Sequence, residues 1–163
     1  MTVSEKLKSL FEQENVDYEL MVHSESYTAQ EKAAGMHVPG AQLAKVVMAK
    51  ADGKLAMLVI SADQNVDFGK AKKVLKAKEV TLAKEEDFGD LFPDCDLGAM
   101  PPFGNLYDIP VWVDEDLARQ ESIVFNACSH YEAARISYSD YERLVKPGVR
   151  GLGKHVSERK IEG

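Results

Sequence analysis

The chain has 163 residues, 45% hydrophobic and 29% charged, with a formal net charge of −7. That length suits one domain with a sizeable core, and the acidic balance argues against a protein that grips nucleic acid through a broad basic face. Contact with one phosphate or one nucleic-acid end is not excluded. No apolar run approaches the ~20 residues that span a bilayer, and Met1 to Lys6 lacks the basic-then-apolar order of a secretory signal. Cys95 and Cys128 form no metal or redox motif by spacing, so a reducing cytoplasm is the expected compartment. His23, His37, His130 and His155 are scattered without a ligand pair at helical spacing, so no metal site and no cofactor are expected.

Thr2-Val3-Ser4-Glu5 reads as a capping box, after which Val3, Leu7, Leu10 and Phe11 share a helical face. A short strand follows from Tyr18 to Val22. Thr28-Ala29-Gln30-Glu31 is a second capping box, opening an alanine-rich helix that ends near Gly35. Pro39-Gly40 turns the chain into two apolar runs, Leu43 to Ala49 and Leu55 to Ile60, separated by Asp52-Gly53, a strong hairpin signal. Asp67 is placed to cap a lysine-rich helix to about Ala77, and Glu79 to Leu82 reads as a strand. A helix from about Lys84 to Phe92 is stopped by Pro93. Loop residues dominate from Asp94 to Tyr107. Ile109 to Val113 and Ser122 to Asn126 are strand-like, and Tyr131 to Tyr138 contains another strand. Ser139 is a candidate cap for a last helix, Asp140 to Val145, ended by Pro147-Gly148. Strands interleaved with short helices, without regular crossover units, predict an α+β domain with a mixed sheet. Residues 1–146 form its body and 147–163 its C-terminal tail.

Three features carry the chemistry. If Asp52 and Gly53 form a two-residue loop, Lys45 pairs with Ile60 and Val47 with Leu58. Lys45, Val47 and Ala49 then share a face with Ile60, Leu58 and Ala56, and the opposite face is apolar too. A lysine pointing into such a layer has either a function or an escape route for its ammonium along a buried stem. Gly98-Ala99-Met100-Pro101-Pro102-Phe103-Gly104 is a stiff loop whose backbone groups suit a carbonyl or a sugar edge; the alternative is an ordinary turn. In Asn126-Ala127-Cys128-Ser129-His130, small residues precede a histidine able to exchange protons near neutral pH. Adjacent strand residues face apart, which speaks against a Ser129–His130 dyad, and Cys128 reads as a packed thiol.

Together, and in this order, these segments resemble the YbaK and prolyl-tRNA synthetase editing-domain family. The matching stretches are His23 with Tyr27 to Glu31, His37-Val38-Pro39-Gly40 leading into Leu43 to Val47, Gly98 to Gly104, and Phe125-Asn126 with Ser129-His130. The resemblance implies a mixed, barrel-like sheet flanked by short helices, and hydrolysis of the ester joining a wrong amino acid to a tRNA. It implies that Lys45 engages the terminal phosphate or adenosine region, that Gly98 to Pro102 position the ester, and that His130 lines the amino-acid pocket. Phe103, Gly104, Ser129 and Thr28 are further candidates for the pocket. The attacking water would be helped by the tRNA's own terminal ribose hydroxyl, so no protein nucleophile is required. Family members often carry glycine where this chain has Cys128, which bears on amino-acid specificity.

The resulting expectation is a cytoplasmic deacylase acting in trans on the acceptor end of mischarged tRNA, with no role for DNA or a membrane. Alanyl-tRNA of the proline type ranks first among substrates, followed by cysteine, serine or threonine on a non-cognate tRNA. An aminoacyl-tRNA synthetase is a further candidate partner. A non-catalytic module binding charged tRNA or a synthetase, and a hydrolase of small aminoacyl esters, remain the alternatives.

Overall fold

Asp52 (φ 49°) and Gly53 (φ 86°) both adopt left-handed backbone, the signature of the tight turn that matches the twist of a hairpin. They join β2 (Ala44–Ala51) to β3 (Lys54–Ser61), with Lys45 opposite Ile60 and Val47 opposite Leu58, as the spacing predicts. The Asp52 carboxylate accepts from the amides of Lys78 and Glu79, at 3.1 and 3.0 Å, which fastens the turn to the segment entering β5 (Val80–Leu82). The computed structural model describes residues 5–22, 38–96 and 98–155. Thr2 to Ser4, Leu97 and the expected helix from Thr28 to Gly35 lie outside them.

The hairpin is the centre of a five-stranded sheet ordered β5-β2-β3-β6-β9, with β6 at Val111–Asp114 and β9 at Gly148–Arg150. β5 runs antiparallel to β2, whereas β6 and β9 join in parallel, so the sheet is mixed. A second, antiparallel sheet is ordered β1-β8-β7, from Glu19–Val22, Glu132–Ser137 and Ser122–Ser129. The two sheets meet at a parallel bridge between Leu43 and Val124, where the Val124 amide donates to the Gln42 carbonyl at 2.9 Å. A short pair, β4 (Gln64–Val66) with β10 (Gly153–His155), lies alongside.

Both faces of the hairpin are buried. Met48, Met57 and Val59 join a core with Leu7, Phe11, Phe103, Phe125 and Tyr141. Ala49, Leu58 and Ile60 join Val66, Ala71 and Leu152. Five short helices flank the sheets among the described residues. α1 (Glu5–Gln13) buries Leu7 and Phe11. α2 (Phe68–Leu75) is capped by Asp67, whose side chain accepts from the amides of Gly69 and Lys70, and it ends at Lys76 in left-handed backbone. α3 (Glu85–Phe88) is shorter than its pattern suggests: at Gly89 the chain tightens into a 3-10 turn to Leu91, where glycine weakens the α-helix. α4 (Glu115–Ala118) was not expected from the pattern. It is started by Asp114, whose carboxylate accepts from the Asp116 amide. α5 (Tyr138–Val145) is capped by Ser137 rather than Ser139. Ser137 leaves β8 with extended backbone, as an N-cap requires, and its hydroxyl accepts from the Asp140 amide at 3.1 Å.

The described residues after Pro147 pack as β9 and β10. Its anchor is Asp114, 2% exposed, which accepts from the amides of Leu152 at 2.7 Å and Gly153 at 3.0 Å. Removing this carboxylate leaves buried amides without acceptors. Asp114→Ala is expected to cost about 2–3 kcal/mol in chemical denaturation, with amide exchange at Leu152 and Gly153 accelerated before that of β3.

Candidate active site

Lys45 is half-buried on the face it shares with Val47, Leu58 and Ile60. Its ammonium escapes past the hairpin end and donates to the Gln64 carbonyl at 2.6 Å and to Asn65 Oδ1 at 3.4 Å. An ammonium has three protons, and these two bonds use two of them on described residues. Burial pushes the Lys45 pKa below the usual lysine value, and the charge of Asp63 partly offsets that. The polar run Asp63-Gln64-Asn65, directly after an apolar strand, was the available sequence signal for these partners.

The loop from Gly98 divides into an exposed lip and a buried root. Gly98 is exposed, with φ +85°. Ala99, Met100, Pro101, Pro102, Phe103 and Gly104 are buried. Phe103 stacks edge-on against Phe125 and Tyr141, each with centroids 5.4 Å away, and the Tyr141 hydroxyl donates to the Pro102 carbonyl at 2.7 Å. A Cβ on Gly104 would stand 2.8 Å from the Ile109 carbonyl oxygen, so only glycine fits. Phe103 and Gly104 thus anchor the loop from the core, and Gly98 is the part it presents to solvent.

β7 brings the histidine to that lip. Its register with β8 slips between Asn126 and Ser129, and Cys128, at the slip, has φ 71°. His130 lies in the turn that follows and is partly exposed. A Cβ added to Gly98 would lie 3.5 Å from His130 Cε1, so glycine and imidazole are in near contact across 32 residues of sequence. Ser129 is buried, and its hydroxyl accepts from the Tyr131 amide at 3.0 Å, which employs it in the turn. Cys128 is not a packed thiol: it forms a disulfide with Cys95. The slip in β7 and the loop after Pro93 carry the two cysteines together over 33 residues, which spacing alone could not reveal. Asp94, Cys95 and Cys128 place their donor atoms within 4.8 Å of one another, but bridged sulfurs offer no thiolate for a metal.

The structure therefore joins Gly98, Cys128 and His130 in one cluster, while Lys45 stands apart on β2. Lys45 lies two residues beyond Leu43 of the bridge that joins the two sheets. Thr28 lies outside the described residues. A hollow of about 860 Å³ is lined by Lys84, Glu85, Glu86, Gly89, Asp90, Phe92, Pro93 and Cys95. Its three carboxylates would repel a phosphodiester, so it is not the candidate site despite its size.

A half-buried lysine on one sheet and a glycine–histidine lip beside the other supply a cation for an anionic or polar group and a backbone contact for a small one. The aminoacyl-tRNA editing domain family matches residues 23–144, and the chain belongs to that family. It is 32% identical over 100 residues to the proline–tRNA ligase of Bacillus mycoides (strain KBAB4), covering 61% of this chain and 17% of the ligase. It is likewise 32% identical over 87 residues to the proline–tRNA ligase of Acidithiobacillus ferrooxidans (strain ATCC 53993 / BNL-5-31), covering 53% of this chain and 15% of the ligase. The chain thus spans less than a fifth of the length of these relatives. The fold matches the hypothetical protein APE2540, with TM-score 0.81 and 18% identity over 92% of this chain and 100% of that one. It also matches a candidate trans-editing enzyme for prolyl tRNA synthetase, with TM-score 0.77 and 19% identity over 91% of this chain and 95% of that one. The mixed, barrel-like α+β fold expected from the sequence is the fold of these neighbours.

The depressed pKa of Lys45 has a direction that can be measured. Burial disfavours the charged amine, so the folded chain releases this proton at a lower pH than the unfolded chain. Between the two values the unfolded state binds more protons, and the Lys45 contribution to stability rises with pH there. NMR titration of the Lys45 amine is expected to give a midpoint below 10.5, and Lys45→Met is expected to remove that alkaline rise.

Proposed function

We propose that this domain hydrolyses mischarged aminoacyl-tRNA in trans, in the cytoplasm, with alanine on a proline tRNA as the leading substrate. The observation that carries the reading is the near contact of Gly98 with His130, together with a half-buried Lys45 ammonium two residues beyond the bridge that joins the two sheets. Family membership and the trans-editing neighbour support it. Lys45 holds the terminal phosphate or adenosine of the acceptor end, acting as a compact point charge whose attraction is strengthened by partial burial. Gly98 and the backbone of its loop frame the ester, and His130 bounds the acyl group. Water attacks the ester carbonyl, aided by the terminal ribose hydroxyl. The acyl–oxygen bond breaks, and free amino acid and tRNA leave. The hydroxyl of Ser129 is occupied in its turn, which agrees with a mechanism that asks for no protein nucleophile. A separate hydrolytic site is useful because a binding pocket separates acyl groups differing by one methylene by only about 1–3 kcal/mol.

Hydrolysis should be followed on tRNAs charged with alanine, serine, threonine or cysteine, using the wild type and Lys45→Ala. Wild type is expected to cleave at least one, with alanine fastest. Lys45→Ala is expected to lose about 100-fold or more in kcat/KM with a nearly unchanged thermal midpoint. Tight binding of charged tRNA without turnover would instead favour the non-catalytic module.

A further inference from the structure

Gln64 is 1% exposed, and the two ends of its side-chain amide fare differently. Nε2 donates to Asp116 Oδ2 at 3.1 Å. Oε1 is buried and has no hydrogen-bond partner among the described residues. An apolar side chain of the same shape would avoid the cost of that unpaired oxygen, so the use of the glutamine lies at its Nε2 end. The amide also rests on β10: a Cβ added to Gly153 would stand 2.5 Å from Gln64 Oε1 and 2.9 Å from its Cδ. It is thus clamped between α4 on one side and β10 on the other. Asp116 is itself fixed, because its amide donates to the Asp114 carboxylate at 3.0 Å and its Oδ1 accepts from Arg119 at 2.6 Å. The backbone carbonyl of this clamped residue is the acceptor that takes the Lys45 ammonium at 2.6 Å. Asn65 is exposed and adds only a contact of 3.4 Å.

We propose that Gln64 is a positioning residue for Lys45: its side-chain amide, clamped between Asp116 and Gly153, holds its own backbone carbonyl against the Lys45 ammonium and so fixes where that charge meets the acceptor end. The last step rests on the deacylase reading; the clamp itself does not. β4 is three residues long and pairs with β10 in a two-stranded ribbon, which backbone bonds alone hold weakly. The Gln64 amide ties that ribbon to a further element, α4. The bond from the ammonium to the carbonyl is short and charge-assisted, and a displacement on the order of 1 Å is enough to lose a productive contact. Gln64 acts through Lys45 and is asked to touch neither the substrate nor the reacting atoms.

The test uses three variants. Gln64→Met keeps the shape and removes both polar ends. Asp116→Ala breaks the clamp at a partly exposed residue. Asp116→Asn keeps an oxygen for Nε2 and loses only surface ion pairs with Arg119 and His155. Each is measured for the NMR signal of the Lys45 ammonium, assigned by its absence in Lys45→Met, and for KM and kcat on alanyl-tRNA. In Gln64→Met and Asp116→Ala the ammonium signal is expected to move toward those of exposed lysines, and KM to rise about tenfold with kcat nearly unchanged. Asp116→Asn is expected to restore both. The thermal midpoint of Gln64→Met is expected to hold or rise, because an unpaired buried oxygen is removed. A merely structural glutamine would leave the Lys45 signal and KM where they are. An unmoved signal in both disrupting variants, or a KM within about twofold of wild type, would overturn the proposal. If the wild type cleaves no charged tRNA, the deacylase reading fails, and the ammonium signal alone still decides whether Gln64 aims Lys45.

Discussion

Lys45 is confined by the pairing of β2 with β3. Asp52 and Gly53 admit only one register without flipping every side chain of the hairpin to the other face, and both faces are buried. The lysine stem is thus committed to an apolar layer, and its ammonium must find acceptors at the strand end. Gln64 and Asn65 supply two. The following segment has to lie where it does for that to happen: β4 pairs with β10, and β10 is pinned by the buried Asp114. A charge at the end of one strand is in this way supported by a chain of contacts reaching to the C-terminal strand.

The other half of the site depends on a different constraint. Phe103, in the shared core with Phe11, Phe125 and Tyr141, fixes the root of the proline-rich loop. The slip in β7 re-aims the chain so that His130 meets Gly98. Slips of this kind bend a strand and redirect a side chain. The Leu43–Val124 bridge links the two sheets that carry these halves.

The hairpin, its turn and the pairing of Lys45 were readable from residues because local turn chemistry and a two-residue period determine them. Asp67 as a cap was readable for the same reason. The hidden features depend on long-range contacts. Ser137 rather than Ser139 caps the last helix because β8 delivers it in extended backbone. The strands after Pro147 form only because Asp114 and β4 are waiting for them. The disulfide joins a loop and a strand slip that no spacing rule connects, and the left-handed backbone of Cys128 follows from that slip. Gly98, Lys45 and His130 were each visible as unusual residues, but the near contact between glycine and histidine emerges only in three dimensions.

The central claim is that one substrate end meets Lys45 while the other meets Gly98 and His130. The most direct measurement is a crystal structure with an amide-linked alanyl-adenosine 5′-monophosphate, which cannot be hydrolysed at the ester position. The account predicts the phosphate or adenosine within hydrogen-bond distance of Lys45 Nζ and the alanyl methyl packed against Gly98 and His130. A ligand seated elsewhere, or one that reaches His130 while Lys45 keeps only Gln64 and Asn65, would contradict it.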